Sequence, residues 1–186
     1  RYNGKVLKND DILENESNIE LSWKLINFKK LYLTDKDEIF YIPVRVLFES
    51  QIITSLVRNF DEDNDNIFDN ITEENKLEFN SNGIINRELV NDWINISFKI
   101  NEFLHSKNKT FNELDIPKPL KNHSISIYIG NKGFEYLNNK SLEQLKEIAT
   151  MSDYLDISYL LETVCAFIAE KFLKNNSIEN IKELNL

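Results

Sequence analysis

The sequence predicts an α/β fold, a small β-sheet on the N-terminal side covered by helices that dominate the C-terminal half. Three observations lead there. Two runs rich in strand-forming residues, 31–34 (Leu-Tyr-Leu-Thr) and 39–42 (Ile-Phe-Tyr-Ile), flank the polar stretch 35–38 and read as a hairpin. Apolar residues recur at helical spacing in several windows after residue 50. The last part, 148–186, is the most helical and most apolar stretch of an otherwise Asn-rich chain. No internal repeat and no low-complexity linker divides 30–186.

Taken in order, residues 19–25 alternate apolar and polar, as a half-buried strand does. Pro43 ends the second hairpin strand, because proline has no N–H to give a ladder. The window 52–60 then predicts a helix with Ile53, Leu56 and Val57 inward. The acidic run 61–66 places Asp61, Asp63 and Asp65 like the first ligands of a calcium loop. Asn66 stands where that loop requires glycine and Thr72 where it requires a bidentate glutamate, so a solvated connection is expected. Residues 77–79 suit a short strand. The window 86–104 is a helix with Leu89, Val90, Trp93, Ile94, Ile100 and Leu104 on its buried side. Pro117 and Pro119 break a polar connection over 105–121, of the kind that runs on the surface. The alternation in 124–129 predicts a strand. Ser141 and Gln144 form the capping box of a helix over Leu142–Tyr154.

From Ile157 the apolar residues Ile157, Leu160, Leu161, Val164, Cys165, Ile168 and Phe172 mark one face of a helix, with Ser158, Glu162, Glu170 and Lys171 opposite. Cys165 is thereby expected to be an inert packing residue. A shorter helix over 177–184, capped by Asn176 or Ser177, has Ile178, Ile181 and Leu184 on its apolar side. Such a short helix is marginal alone and must dock on its own domain or on a partner.

The composition narrows the function. With 186 residues, 41% hydrophobic, one domain with a sizeable core plus extensions is expected. A net charge of −9 repels phosphate backbones and argues against nucleic acid. No apolar run reaches the ~18 residues of a membrane span. No signal-peptide pattern opens the sequence, and the single cysteine, Cys165, permits no internal disulfide; cytoplasm or nucleus is the expected location. Catalysis is not expected. His105 and His123 lie in polar surroundings without ligand-spaced partners. Four glycines, Gly4, Gly83, Gly130 and Gly133, build no phosphate loop, and no metal or cofactor is implied.

Two stretches resemble known families. Residues 2–10, Tyr-Asn-Gly-Lys-Val-Leu-Lys-Asn-Asp, are similar to part of a ubiquitin-like fold. A plain β extension packed on the main domain accounts for residues 1–29 equally well. More extensively, Tyr154-Leu155-Asp156-Ile157, then Leu160-Leu161, Cys165 and Ala169, resemble the hallmark segment of the Skp family, the adaptors of Skp–cullin–F-box ubiquitin ligases. The start of the final helix, Ser177-Ile178-Glu179-Asn180-Ile181, is similar to that family's Thr-Pro-Glu-Glu-Ile, with Ile178 replacing proline.

The resemblance implies a BTB/POZ domain over 30–156, followed by two extra C-terminal helices over 157–186 that bind an F-box. It implies a non-catalytic adaptor that joins an F-box protein to a cullin. F-box contacts would fall on Leu160, Leu161, Val164, Ile168, Ile181, Leu184 and Leu186, although packing within the domain claims some of the first four. The cullin face would include Asp153 and Tyr154, where the family has Asn-Tyr. The added charge at Asp153 opens an alternative, a Skp-like subunit that holds an F-box-like protein in a complex without a cullin.

Overall fold

The computed structural model describes residues 28–33, 38–59, 77–79, 81–118, 120 and 124–173. The N-terminal stretch 1–27, the acidic run 61–66 and the terminal helix predicted over 177–184, with Ile181, Leu184 and Leu186, lie outside the described residues.

Helices predominate, and one small mixed sheet lies at their side. Strand β1 (Phe28–Leu33) pairs antiparallel with β2 (Glu38–Pro43), Phe28 opposite Pro43 and Leu33 opposite Glu38. It also pairs parallel with β3 (Leu77–Phe79), Leu31 opposite Leu77, so the strand order is β2-β1-β3. Along β2, Phe40 and Ile42 are buried and Tyr41 between them is exposed, the two-residue period of a sheet with one covered face. The hairpin forms from the two runs of strand-forming residues, and 77–79 is the expected short strand.

After Pro43 come a single turn, α1 (Val44–Leu47), and the helix α2 (Gln51–Asn59). Ser50 starts α2: its Oγ accepts from the Ile53 N–H at 3.1 Å and donates to the Leu155 carbonyl at 2.6 Å. The longest helix, α3 (Arg87–Ser106), is capped by Asn86, whose side chain accepts from the Leu89 N–H. Trp93, Ile96 and Ile100 on its inner side are fully buried. Ile94, expected on that side, is only half-buried at the edge of the stripe.

The strand expected over 124–129 is not there. Residues Ser126–Asn138 form α4, interrupted at Gly130 (φ +74, ψ 164). The alternation of 124–129 misled because Ile125 and Ile129 are also four apart, and both are fully buried, with Gly133 and Leu137 continuing the same face. Two glycines in that face hide its helical period from a hydrophobicity reading. Gly130 is required twice over: its φ is positive, and a Cβ there would sit 2.7 Å from the ring of Phe103 on α3. At the α4 N-terminus the Ser124 hydroxyl accepts from the Ser126 N–H at 3.3 Å, and Glu170 accepts from the Ile125 N–H at 2.7 Å. A buried ion pair, Lys140 Nζ to Asp92 Oδ1 at 2.5 Å, with the Tyr136 hydroxyl donating to the same oxygen, ties the end of α4 to α3.

Helix α5 (Leu142–Tyr154) begins with the predicted box, Ser141 Oγ accepting from Gln144 N–H and Gln144 Oε1 from Ser141 N–H. Helix α6 (Ser158–Ile168) continues into a wider turn, Ala169–Leu173. Helix α6 packs on α5 and, through Leu160, Val164 and Phe167, joins the core that the sheet and α3 share.

Candidate functional site

The turn between α5 and α6 is the Leu155-Asp156-Ile157 segment. Asp156 N–H donates to the Asp153 carbonyl and Ile157 N–H to the Ser152 carbonyl at 2.8 Å. That is the double closure of a Schellman turn, which needs a left-handed residue after the helix cap. Asp156 takes that conformation at φ +50, where glycine is the commoner choice. Leu155 and Ile157, on either side, are fully buried. The carbonyls of Leu155 and Asp156 receive the Ser50 hydroxyl and the Gln51 N–H, so α2 is docked on this turn. Three residues singled out by motif thus have a structural reason to be Leu, Asp and Ile.

Beyond the turn, α6 divides its residues between two faces. Leu160 and Val164 are fully buried and Ile168 is 6% exposed, so these three of the expected F-box contacts pack inside the domain. Leu161 lies on the other side. With Cys165 and, in the turn that continues α6, Ala169, it makes a row of three residues spaced four apart, and this row forms the floor of an open apolar groove of about 550 Å³. Ala166 widens the floor. One wall is the connection that follows α3, with Ile116, Pro117, Lys118 and Leu120; the other end is closed by Ser152, Asp153, Asp156 and Ser158. Cys165 is therefore not the inert packing residue its helical spacing predicts: it is exposed in the groove. Partial burial by the groove walls pushes its thiol pKa up, with neighbouring Asp153 and Glu162 acting in the same direction against Lys118. A raised pKa makes it a slow nucleophile.

The groove wall is held from below. Ile116 is buried and anchors the connection, and Lys118 reaches Glu162 on α6 at 2.5 Å. That pair is largely exposed and contributes at most about 1 kcal/mol. A second anchor is Phe111, in a short 3-10 turn (Phe111–Glu113), whose ring lies 4.2 Å from that of Tyr159 on α6. Tyr159 is fixed in turn by a polar cluster under the helices. A single oxygen, Glu49 Oε2, accepts from Tyr159 OH at 2.6 Å, Ser97 Oγ at 2.6 Å and Trp93 Nε1 at 3.0 Å. Burial pushes the Glu49 carboxyl up to about 6, against the three donors and Arg45, which favour its ionised form. The same desolvation and the facing carboxylate hold the Tyr159 hydroxyl well above its usual range. This cluster gave no motif in the sequence, because Glu49, Trp93, Ser97 and Tyr159 come from three segments that only the fold brings together.

Of the expected cullin residues, Asp153 is exposed on the last turn of α5 and Tyr154 beside it is half-buried. Asp153 also lines the groove. Among the described residues no group of three or more His, Cys, Asp or Glu is placed to hold a metal ion, and no helix is long and apolar enough to cross a membrane. No protein-family model matches the sequence. Among curated proteins, the S-phase kinase-associated protein 1 homolog of Tetrahymena thermophila is 26% identical over 151 residues, covering 81% of this chain and 77% of the relative.

Proposed function

We propose that this chain is a Skp-type adaptor that binds the helices of an F-box or F-box-like protein and presents them to a cullin, without chemistry of its own. The observation that carries the reading is the open apolar groove along α6, whose floor residues Leu161, Cys165 and Ala169 belong to the segment that resembles the Skp hallmark. Similarity to an S-phase kinase-associated protein over most of both chains supports it. The small sheet beside a helical layer suits the BTB/POZ architecture of such adaptors.

Leu161 contacts the partner directly. Leu160, Val164 and Ile168 act from beneath, by setting the position of α6. Ile181, Leu184 and Leu186, outside the described residues, are the further F-box contacts of this reading. Asp153 and Tyr154 form the cullin side, and the protein works in the cytoplasm or nucleus. A second reading has one specific observation in its favour. The family's Asn is Asp153 here, and its added charge faces the groove instead of standing apart from it; the alternative is a Skp-like subunit that keeps the F-box groove and has no cullin.

The test is capture of tagged protein from its native cell, with mass spectrometry of what accompanies it. Cullin together with F-box proteins supports the adaptor, an F-box-like protein without cullin supports the second reading, and neither sinks both. Leu161→Asp should lower F-box capture by at least about tenfold, since burying one Leu contributes about 1.5–3 kcal/mol and 1.4 kcal/mol is tenfold. Tyr154→Ala should weaken cullin capture alone.

A further inference from the structure

The groove is asymmetric in shape and in charge. Along the floor the larger Leu161 stands near the α5–α6 turn and the smaller Cys165 and Ala169 lie beyond it. A row of residues four apart is the ridge that a partner helix meets with its own i, i+4 row. From Leu161 to Ala169 is eight residues, about 12 Å at 1.5 Å per residue, or roughly two helical turns.

The charged lining consists of Asp153, Asp156 and Glu162 against Lys118 alone, a surplus of two negative charges. Glu162 and Lys118 pair with each other. The surplus therefore sits on Asp153 and Asp156, at the end beside the α5–α6 turn. Neither has an ion-pair partner among the described residues, and Asp156 has only a 3.5 Å contact from the Ser158 hydroxyl. Bringing an apolar helix over this end would desolvate two unpaired carboxylates unless the helix carried cations to meet them.

We infer that the groove selects a partner helix with Lys or Arg at the end that meets Asp153 and Asp156 and a bulky apolar residue about two turns away, seated over Ala169. This rests on the reading of the groove as a docking surface for a partner helix and adds the chemistry that decides which helix fits. A second copy of this chain is a poor occupant, since each copy carries a net charge of −9.

The lone cysteine serves as the reporter, because it lies on the groove floor and is the chain's only thiol. The probe is a synthetic helical peptide of about 15 residues, near the length at which isolated helices form. It has a Leu row four apart and an Arg pair at one end; its twin carries a Glu pair instead. The measurements are peptide affinity and the rate of Cys165 alkylation on the full chain. The Arg peptide should bind about tenfold or more tighter than its twin and slow alkylation of Cys165. Added salt should shrink the difference, as it does for exposed charges.

The double change Asp153→Asn with Asp156→Asn should erase the preference; Asn tolerates the left-handed conformation at 156, so the turn is kept. Asp153→Lys, on an exposed helical position, should shift the preference toward the Glu peptide. Equal affinity for the two peptides, no binding of either, or a Cys165 already shielded in the free chain would each overturn the inference. F-box capture is measured in parallel. Capture unchanged by the Asn pair, with equal peptide affinities, removes the inference and leaves the adaptor reading standing. A charge-selective peptide site in a chain that captures no F-box protein does the reverse.

Discussion

The inner face of α6 offers Leu160, Val164, Phe167 and Ile168 to a core that covers them almost completely, whereas the outer face offers Leu161, Cys165 and Ala169 to an open groove. Both faces are apolar, and both run along α6 and the turn that continues it. The difference lies in what surrounds them. The inner face meets α5, α4 and α3, and the donors around Glu49 beneath it are consumed internally. Along the outer face lies an open groove, and among the described residues Asp153 and Asp156 at its end have no ion-pair partner. Apolar side chains at helical spacing therefore carry two kinds of information. One kind is read by the chain's own core; the other is left for a partner.

The contrast can be broken most forcefully from the inside. Phe167 is fully buried and meets the edge of Phe134 at 5.3 Å between ring centres. Phe167→Ala should cost about 3–5 kcal/mol, by lost transfer energy and the cavity left behind. A urea unfolding midpoint that barely moves would mean the inner face is not the core.

The polar cluster gives a smaller, pH-dependent effect. Glu49 has its carboxyl pKa raised from 4.5 to about 6 in the folded chain, so the native state holds that proton more tightly than the unfolded state does. Its contribution is present below pH 4.5 and is lost as pH rises through 6, about 2 kcal/mol in all at 1.36 kcal/mol per unit. Unfolding followed at several pH values should show Glu49→Gln flattening that slope between pH 4.5 and 6.5. The variant and the unmodified chain losing stability in parallel would remove Glu49 as the titrating group.

Thr163 sharpens the same comparison with the opposite sign. It is fully buried on α6 and its hydroxyl has no hydrogen-bond partner among the described residues. Thr163→Val keeps the shape and removes the orphaned group, and should raise stability by about 1 kcal/mol. A lower melting temperature would show that the hydroxyl is satisfied in solution. The smallest stability change is expected outside. Leu161→Ser should alter the unfolding free energy by less than about 1 kcal/mol, since partly exposed positions contribute little, while weakening F-box capture. A large loss of stability with capture intact would reverse the assignment of the two faces.

Much of this architecture was legible residue by residue. The capping box at Ser141 and Gln144, the strand-forming runs around Leu31 and Phe40 and the long periodic window around Trp93 are local signals. Each is set by groups within a turn or two of chain, so a reading of neighbours suffices. The helix at Ser126–Asn138 was not legible. Its face runs through two glycines, the backbone leaves the helical region at Gly130, and Glu170 from the turn after α6 takes the Ile125 N–H. Such a helix is not read locally, because glycine carries no hydrophobic signal and part of the capping comes from a remote segment.

The sequence by itself determined that α6 is an amphipathic helix, and a family resemblance drew notice to Leu155-Asp156-Ile157. Only the tertiary structure decided which apolar residues of α6 were inside. That choice depends on the angle at which α6 leaves the Schellman turn and on where the connection after α3 comes to rest. It separated Leu160 from Leu161, neighbours in the chain, because successive residues on a helix point about 100° apart and the core covers only part of that circle. It also gathered Glu49, Trp93, Ser97 and Tyr159 around one oxygen. A hydrogen-bond cluster among distant segments has no period and no motif. Its cause is the low polarity of the interior, which forces every buried polar group to find whichever partner the fold has placed beside it.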